Sequence, residues 1–311
     1  MRDVPGAIPE NSRALLSAIL KQVVGSECSS IRPIKGIGMN NSVSVVETPH
    51  GPFVVRTNVE SHLFRFQREA WCYKQLESSS VLTPTVVACG VLNEHSYSVA
   101  HFIENSQPIH DGVDQLRVWR TLGGYARQLN QVAPPASGSQ EAAYFPMSWE
   151  KQAADDIGLI FKTTLWRDAG MLSQEQQEQI TSYLQGCAST TGSMGICQFD
   201  MTIANAVICG DDYNKIYLLD LESANVAPVP RYQLACIAAD RGLESEPVKA
   251  FFEGYGLASA SPDALDPELE RFLLYRLMRA TAWARDRYPS LLAENLRRTE
   301  PVLTRVVGRL R

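Results

Sequence analysis

Long apolar runs are missing from this chain of 311 residues. None approaches the roughly 18 residues that a membrane-crossing helix needs, and no basic helix with an exposed apolar face is evident, which predicts a protein with no membrane partner. Cysteine is sparse and unpatterned: Cys28, Cys72, Cys89, Cys187, Cys197, Cys209 and Cys236 are odd in number and contain no CxxC pair. That argues against a disulfide framework and predicts buried thiols in a reducing compartment. The first twenty residues, "MRDVPGAIPENSRALLSAIL", place acids and prolines where a secretory signal needs an uninterrupted apolar core, so a cytoplasmic protein is expected. Charge of one sign is also in short supply. The net charge of −5 speaks against a nucleic-acid partner. Histidine is scarce, and all five residues (His50, His62, His95, His101, His110) lie before residue 111.

What charge there is lies unevenly. Basic and acidic residues number 9 and 9 over residues 1–104, 10 and 19 over 105–265, and 10 and 6 over 266–311. The acidic middle is either solvated surface or a basin that draws a cationic substrate. Apolar periodicity gives the organisation. Residues 11–24 open on an Asn/Ser cap and carry apolar residues at helical spacing. "IRPIKGIGMNNSVSVVETPHGPFVVRTN" reads as a β-meander with strands at 42–47 and 53–57. Leu63, Phe66, Ala70, Tyr73 and Leu76 form a helical stripe, and "TVVACGVL" and "YSVAHFIE" read as two further strands. From about residue 105 helices dominate: "LRVWRTLGGYARQLNQV", 149–168, 173–187, 230–256 and 267–310, interrupted by one hairpin. The expected fold class is α+β, with a small sheet-rich part over 1–104 and a mostly helical part over 105–311.

The hairpin carries the chemistry. Its strands, Ala206–Cys209 and Lys215–Leu221, are joined by the turn formers "GDDYN". With Cys209 set opposite Ile216, Asn205 falls opposite Asp220, and Asp200 precedes them by one short loop. Two carboxylates and an amide oxygen at a strand end are either a capping arrangement or a site for a hard cation such as Mg²⁺. Asp200 to Asn205 is the D-x-x-x-x-N spacing of kinase catalytic loops, where the Asp takes the attacking hydroxyl's proton and the Asn holds the metal.

On these residues the chain resembles the aminoglycoside phosphotransferase-like small-molecule kinases, relatives of protein kinases. Their usual loop is H-G-D-x-x-x-x-N, followed by an apolar strand and a D-[WFL]-E segment; here stand Gln198-Phe199-Asp200, Asn205 and "LLDLES". The resemblance spans roughly residues 30 to 260 and implies a protein-kinase-like bilobal fold, with the hinge near 101–106. It implies Asp200 as catalytic base and Asn205 and Asp220 as Mg²⁺ ligands. "GIGMNNS" takes the place of the nucleotide-covering turn, so that Gly36, Gly38, Asn40, Asn41 and Ser42 would meet the phosphates. Arg56 would hold the α/β-phosphates of ATP or GTP, Glu69 would pair with Arg56, and backbone at Ala100, Phe102 and Ile103 would meet adenine. "LGGYARQLNQV" resembles the helix that commonly reads "LarLH", with Asn130 in place of His.

The resemblance further implies a small-molecule hydroxyl acceptor. Two acidic groups are candidates to bind it: Trp149, Glu150, Asp155 and Asp156 in "SWEKQAADD", and Asp240 with Glu244 and Glu246 after "CIAA". They suit an aminoglycoside or another amine-bearing compound, in antibiotic resistance or secondary metabolism, handled by a monomer or homodimer. The departures at Gln198, Phe199 and Arg56 motivate a rival from another class, a catalytically silent nucleotide-binding regulator or scaffold.

Overall fold

The computed structural model describes residues 10–34, 41–110, 113–190, 192–210, 215–257 and 266–310. They fall into two compact units. The first comprises Met1–Ile109, Gly138–Tyr144 and Ala204–Ser223; the second comprises His110–Ser137, Phe145–Ile203 and Ala224–Arg311. The hairpin expected within the helical part thus packs with the N-terminal sheet. No helix among the described residues is long and apolar enough to cross a membrane.

In the first unit, α1 (Glu10–Val24) precedes β1 (Ser30–Pro33), β2 (Ser42–Thr48) and β3 (Gly51–Val59). After α2 (Leu63–Leu76) come β4 (Val86–Leu92) and β5 (His95–His101). The strands form an antiparallel sheet in the order β1-β2-β3-β5-β4. Its construction follows from strand alternation. Phe53 and Val55 on β3 point to the face covered by Leu16, Ile19 and Leu20 of α1, where Val46, Tyr97 and Val99 complete a buried core. Val54 and Arg56 therefore point to the opposite face, and there Arg56 meets Phe66 and Glu69 of α2. A second small sheet joins β6 (Ser106–Pro108), β8 (Ala206–Cys209) and β9 (Lys215–Leu218).

The β8–β9 register differs by one residue from the expected one. Cys209 lies opposite Lys215 and Ala206 opposite Leu218. The pairing continues in a bond from the Leu219 N–H to the Asn205 carbonyl (2.8 Å), so Asn205 stands beside Leu219 rather than Asp220. The cause is the odd number of residues, 210–214, between the two strands; the sequence alone leaves an even or odd connection equally open.

The second unit is helical: α3 (Gln115–Asn130), α4 (Trp149–Ile160), α5 (Leu165–Asp168), α6 (Gln174–Gln185), α7 (Arg231–Arg241), α8 (Glu246–Tyr255), α9 (Pro267–Arg287) and α10 (Leu292–Leu310). One antiparallel pair, β7 (Met194–Gln198) with β10 (Ala224–Pro228), lies among them. Tyr232 through Ala239 of α7 are all buried, the mark of a helix enclosed on every side. The capping signals appear where the sequence supplies them: Asp114 accepts from the Arg117 N–H (3.1 Å), and Ser173 with Gln176 forms a full capping box on α6.

Helices α3 and α8 meet through glycine. A Cβ at Gly123 would collide with the Phe251 carbonyl oxygen, and one at Gly254 with the Arg120 carbonyl oxygen. Gly123→Ala therefore forces the two backbones apart. The expected loss is about 1–3 kcal/mol, the usual cost of overpacking, read as a fall in the urea midpoint; an unchanged midpoint would refute this account of the crossing.

Candidate active site

Each unit carries its own set of polar side chains. In the first, Arg56 from β3 forms an ion pair with Glu69, whose side chain is only 1% exposed. The Arg56 guanidinium also lies 5.2 Å over the Phe66 ring and 3.9 Å from Asp220. Glu69 Oε1 accepts from the Tyr73 hydroxyl (2.7 Å) and from the Leu221 N–H (3.1 Å). A buried carboxylate is tolerated only when its oxygens are satisfied and its charge is matched, and here β3, α2 and the chain after β9 each supply part of that match. Asp220 adopts a left-handed backbone (φ 56°), a conformation that costs an acyclic L-residue energy and persists where neighbours dictate it. The flanking bonds of Leu219 to Asn205 and Leu221 to Glu69 are those neighbours.

The sequence places further groups of this unit at the phosphates and the nucleobase. Gly36, Gly38 and Asn40 lie outside the described residues. Asn41 donates to Glu222 Oε2 (2.8 Å) and accepts from Asn58 (2.6 Å), whereas Ser42 is exposed. The Phe102 N–H is bonded to the Pro52 carbonyl and the Ile103 carbonyl accepts from the Ser106 N–H, while Ala100 sits within β5 opposite Val54. Among the described residues the Phe102 carbonyl and the Ile103 N–H have no protein partner, leaving an adjacent acceptor and donor.

In the second unit Asp200 is exposed, just beyond the end of β7. Three braces hold the strand that presents it. Gln233 on α7 accepts from the Gln198 N–H (2.9 Å) and donates to the Gln198 carbonyl (3.0 Å). Asn130 on α3 donates to the Ile196 carbonyl (2.8 Å) and is itself held by the Tyr255 hydroxyl (2.9 Å). Arg276 on α9 donates to the Phe199 carbonyl (3.3 Å), and the Phe199 ring packs edge-on against Tyr232, 5.0 Å between centroids. Gln233 thus satisfies a donor and an acceptor in a fully buried place. Gln233→Leu strands both, at about 1–3 kcal/mol for each unsatisfied group. Chemical denaturation should show a loss at the upper end of that scale, and a loss below that of a surface substitution would contradict the brace.

The acidic group expected to bind an acceptor is split by the structure. Trp149 is buried, its indole N–H donating to the Cys187 carbonyl (2.7 Å). Asp156 is buried between the Tyr275 hydroxyl (2.7 Å) and Arg279 Nε (2.9 Å). Both belong to the packing of the helical unit. Asp155 is exposed and paired with Lys151, and Glu150 is exposed. Asp240 lies 3.9 Å from Arg276. Partial desolvation pushes its carboxyl up, Arg276 pulls it down, and the Asp200 charge pushes it up again, for a net rise. Glu244 lines a cavity described below.

The described residues contain no cluster of three or more His, Cys, Asp or Glu side chains arranged for a metal ion, so a cage built from such groups is not what they offer. Asp220 offers a carboxylate oxygen near the guanidinium of Arg56, and Asn205, just before β8, carries an amide oxygen. That donor set fits Mg²⁺ of the kind that takes few protein ligands and shares the rest with phosphate.

The sequence pattern of the phosphotransferase enzyme family matches residues 30–296. The chain belongs to this family. Solved structures agree on the fold of this phosphotransferase-family chain. The GDP complex of an aminoglycoside 2′-phosphotransferase-IIIa mutant has TM-score 0.64 at 14% identity, covering 96% of this chain and 99% of that one. A putative fructosamine-3-kinase from Haemophilus somnus has TM-score 0.61 at 16% identity, covering 94% and 96%. Aminoglycoside phosphotransferase APH(4)-Ia has TM-score 0.66 at 12% identity, covering 94% and 98%. No curated protein matches the sequence. The family member described here therefore has a kinase-like α+β fold with an N-terminal antiparallel sheet and a larger helical C-terminal part.

Sequence reasoning missed several residues that shape these sites. Glu222 was visible as the acid of the D-[WFL]-E segment but had no assigned partner. Gln233 and Arg276 act on backbone groups far away in sequence, and no local pattern announces them, whereas Asn130 stood out at a motif position without its role as a brace.

Proposed function

We propose that the chain transfers the γ-phosphoryl group of ATP or GTP to a hydroxyl of a small molecule. The observation that carries this reading is the linkage of Arg56, Glu69 and Asp220, which ties a strand-end cation to a buried helix carboxylate and to the acid after the hairpin. Such an arrangement fixes one positive charge for phosphate oxygens and one carboxylate for a cation. Family membership supports it, as do nucleotide-bound relatives of the same fold, including a GDP complex and a ternary complex with AMP-PNP and hygromycin B.

In this reading the first unit holds the nucleotide. Arg56 offsets phosphate charge, Glu69 keeps Arg56 extended from the sheet, and Asn41 and Ser42 face the phosphates. The Phe102 carbonyl and Ile103 N–H meet the adenine edge. Mg²⁺, held by Asn205 and Asp220, supplies charge neutralisation on the phosphate oxygens when bound. The second unit supplies Asp200, which orients the acceptor hydroxyl and takes its proton late, because positioning dominates in a loose transition state. Gln198 stands where relatives have His, and its backbone is held by Gln233, so the strand end stays ordered without an imidazole. The acceptor's own charge is not set by Asp155 and Asp156, whose carboxylates already have partners.

The test is a phosphoryl-transfer assay with ATP or GTP and Mg²⁺ against hydroxylated metabolites and aminoglycosides, reading phosphorylated product by mass. Acceptor-dependent release of nucleoside diphosphate is expected. Nucleotide binding by thermal shift with no phosphorylated product from any acceptor would instead support a silent nucleotide-binding module.

A further inference from the structure

The second unit contains a cavity of about 410 Å³ bounded by α7, the loop that follows it, α9 and α10. Its volume is that of a small-molecule site. Leu273, Leu277 and Val302 give it apolar walls, whereas Arg241, Arg298 and Arg305 stand around it with Glu244 as the one acid among the lining residues. Residues 266–311, which supply two of these arginines, carry ten arginines and no lysine.

The three guanidinium groups are held by partners that are not among the lining residues. Arg305 Nε is bonded to Glu270 (2.6 Å), a side chain 2% exposed that also takes Arg309. Arg298 is paired with Glu294 and donates to the Asp240 carbonyl (3.2 Å). Arg241 has no ion pair among the described residues; it stacks 5.2 Å over the Trp119 ring and donates one N–H to Thr202 Oγ1 (2.9 Å). Each therefore retains N–H donors beyond those spent on its support. Pre-oriented guanidinium forks beside apolar walls match a carboxylate or phosphate on an apolar body, and they repel an ammonium.

The cavity is also tied to the catalytic loop. Thr202, which Arg241 holds, lies two residues after Asp200, and Asp240 beside Arg241 feels the Asp200 charge. We propose that this cavity binds the acceptor of the phosphotransferase reaction, and that the acceptor is an organic anion with an apolar body and a hydroxyl. The assignment rests on the phosphotransferase reading given above. The anionic group is held by Arg241, Arg298 and Arg305, and the hydroxyl lies at Asp200. In the transfer step the hydroxyl oxygen forms a bond to the γ-phosphorus of the nucleoside triphosphate as the bond to the diphosphate breaks. The proton passes to Asp200 and the nucleoside diphosphate leaves.

Three probes of one length separate the charge classes: ω-hydroxyhexanoate, its neutral methyl ester, and the cationic ω-aminohexanol. Binding to the full chain is read by calorimetry, and transfer by product mass with ATP and Mg²⁺. The hydroxy acid should bind and react at least about tenfold better than the amino alcohol, the scale of a hydrogen bond to a charged group. Arg241→Gln, and independently Arg298→Gln, should weaken the hydroxy acid by a similar factor and the neutral ester by much less. Preference for the amino alcohol, or equal use of all three, keeps the phosphotransferase reading and overturns the anionic acceptor. Calorimetric binding of the hydroxy acid that Arg241→Gln weakens, with no transfer to any probe, overturns the phosphotransferase reading while supporting the anion site. No binding of the hydroxy acid overturns the cavity assignment itself.

Discussion

Asp200→Asn should lower phosphoryl transfer by about 10²–10⁴-fold, the range that a positioned proton acceptor contributes, and leave the fold untouched. The two halves of that expectation have separate physical grounds. Asp200 is exposed beyond the end of β7, so converting its carboxylate to an amide buries no unsatisfied group. The strand that presents it is fixed by Gln233, Asn130 and Arg276 acting on backbone atoms of residues 196–199, none of which the substitution alters. Nucleotide affinity should also persist, because the proposed nucleotide contacts belong to Arg56, Asn205 and Asp220. The measurement is a pair: steady-state transfer to a reactive acceptor, and ADP affinity with Mg²⁺. Loss of ADP binding in step with activity would make Asp200 a metal or nucleotide ligand rather than the base, and undiminished transfer would remove it from the chemistry altogether.

The residues that mattered most for the fold were those whose spacing is local. The α2 stripe at Phe66, Tyr73 and Leu76 and the alternation through Phe53 and Val55 were legible because a helix period and a strand period leave signatures within a few residues. The same rule shows where the reading of "SWEKQAADD" went astray. Trp149, Ala153, Asp156 and Ile160 are spaced four, three and four, which is one face of α4, and that face is buried. The stripe was present, yet the acid on it read as a candidate to bind the acceptor because its partners, Tyr275 and Arg279, lie more than a hundred residues away. Strand β10 went unseen for a related reason: "ANVAP" has no alternation of its own and becomes a strand by pairing with β7. The hairpin register slipped by one because turn chemistry marks where a chain reverses without counting the residues in the reversal. What was readable around the site was a spacing, Asp200 to Asn205, and a position, Arg56 to Glu69; the braces behind them follow from tertiary packing alone.

The buried carboxylate of Glu69 yields the largest expected effect on stability. Glu69→Leu removes the acceptor of the Tyr73 hydroxyl and of the Leu221 N–H and leaves the Arg56 guanidinium, whose side chain is 16% exposed, with only the longer pairing to Asp220 at 3.9 Å. Breaking one side of a buried pair costs about 3–5 kcal/mol, enough to consume much of the stability of an ordinary domain. Arg56→Met combined with Glu69→Leu should recover part of that loss, since an apolar pair of similar volume no longer strands a charge. Recovery stays incomplete because the Tyr73 hydroxyl and the Leu221 N–H still lack their acceptor, about 1–3 kcal/mol for each. A denaturant-based double-mutant cycle therefore gives a coupling energy of the opposite sign to the single losses. Strict additivity would mean that Arg56 and Glu69 stabilise the fold independently. The distinction bears on function, because Leu221 follows Asp220: the bond from Glu69 to the Leu221 N–H carries the state of the α2 carboxylate directly to the backbone that holds Asp220 in its left-handed conformation. The double variant should thus fold and still bind nucleotide with Mg²⁺ poorly, whereas normal affinity in it would detach the Arg56–Glu69 pair from the phosphate site.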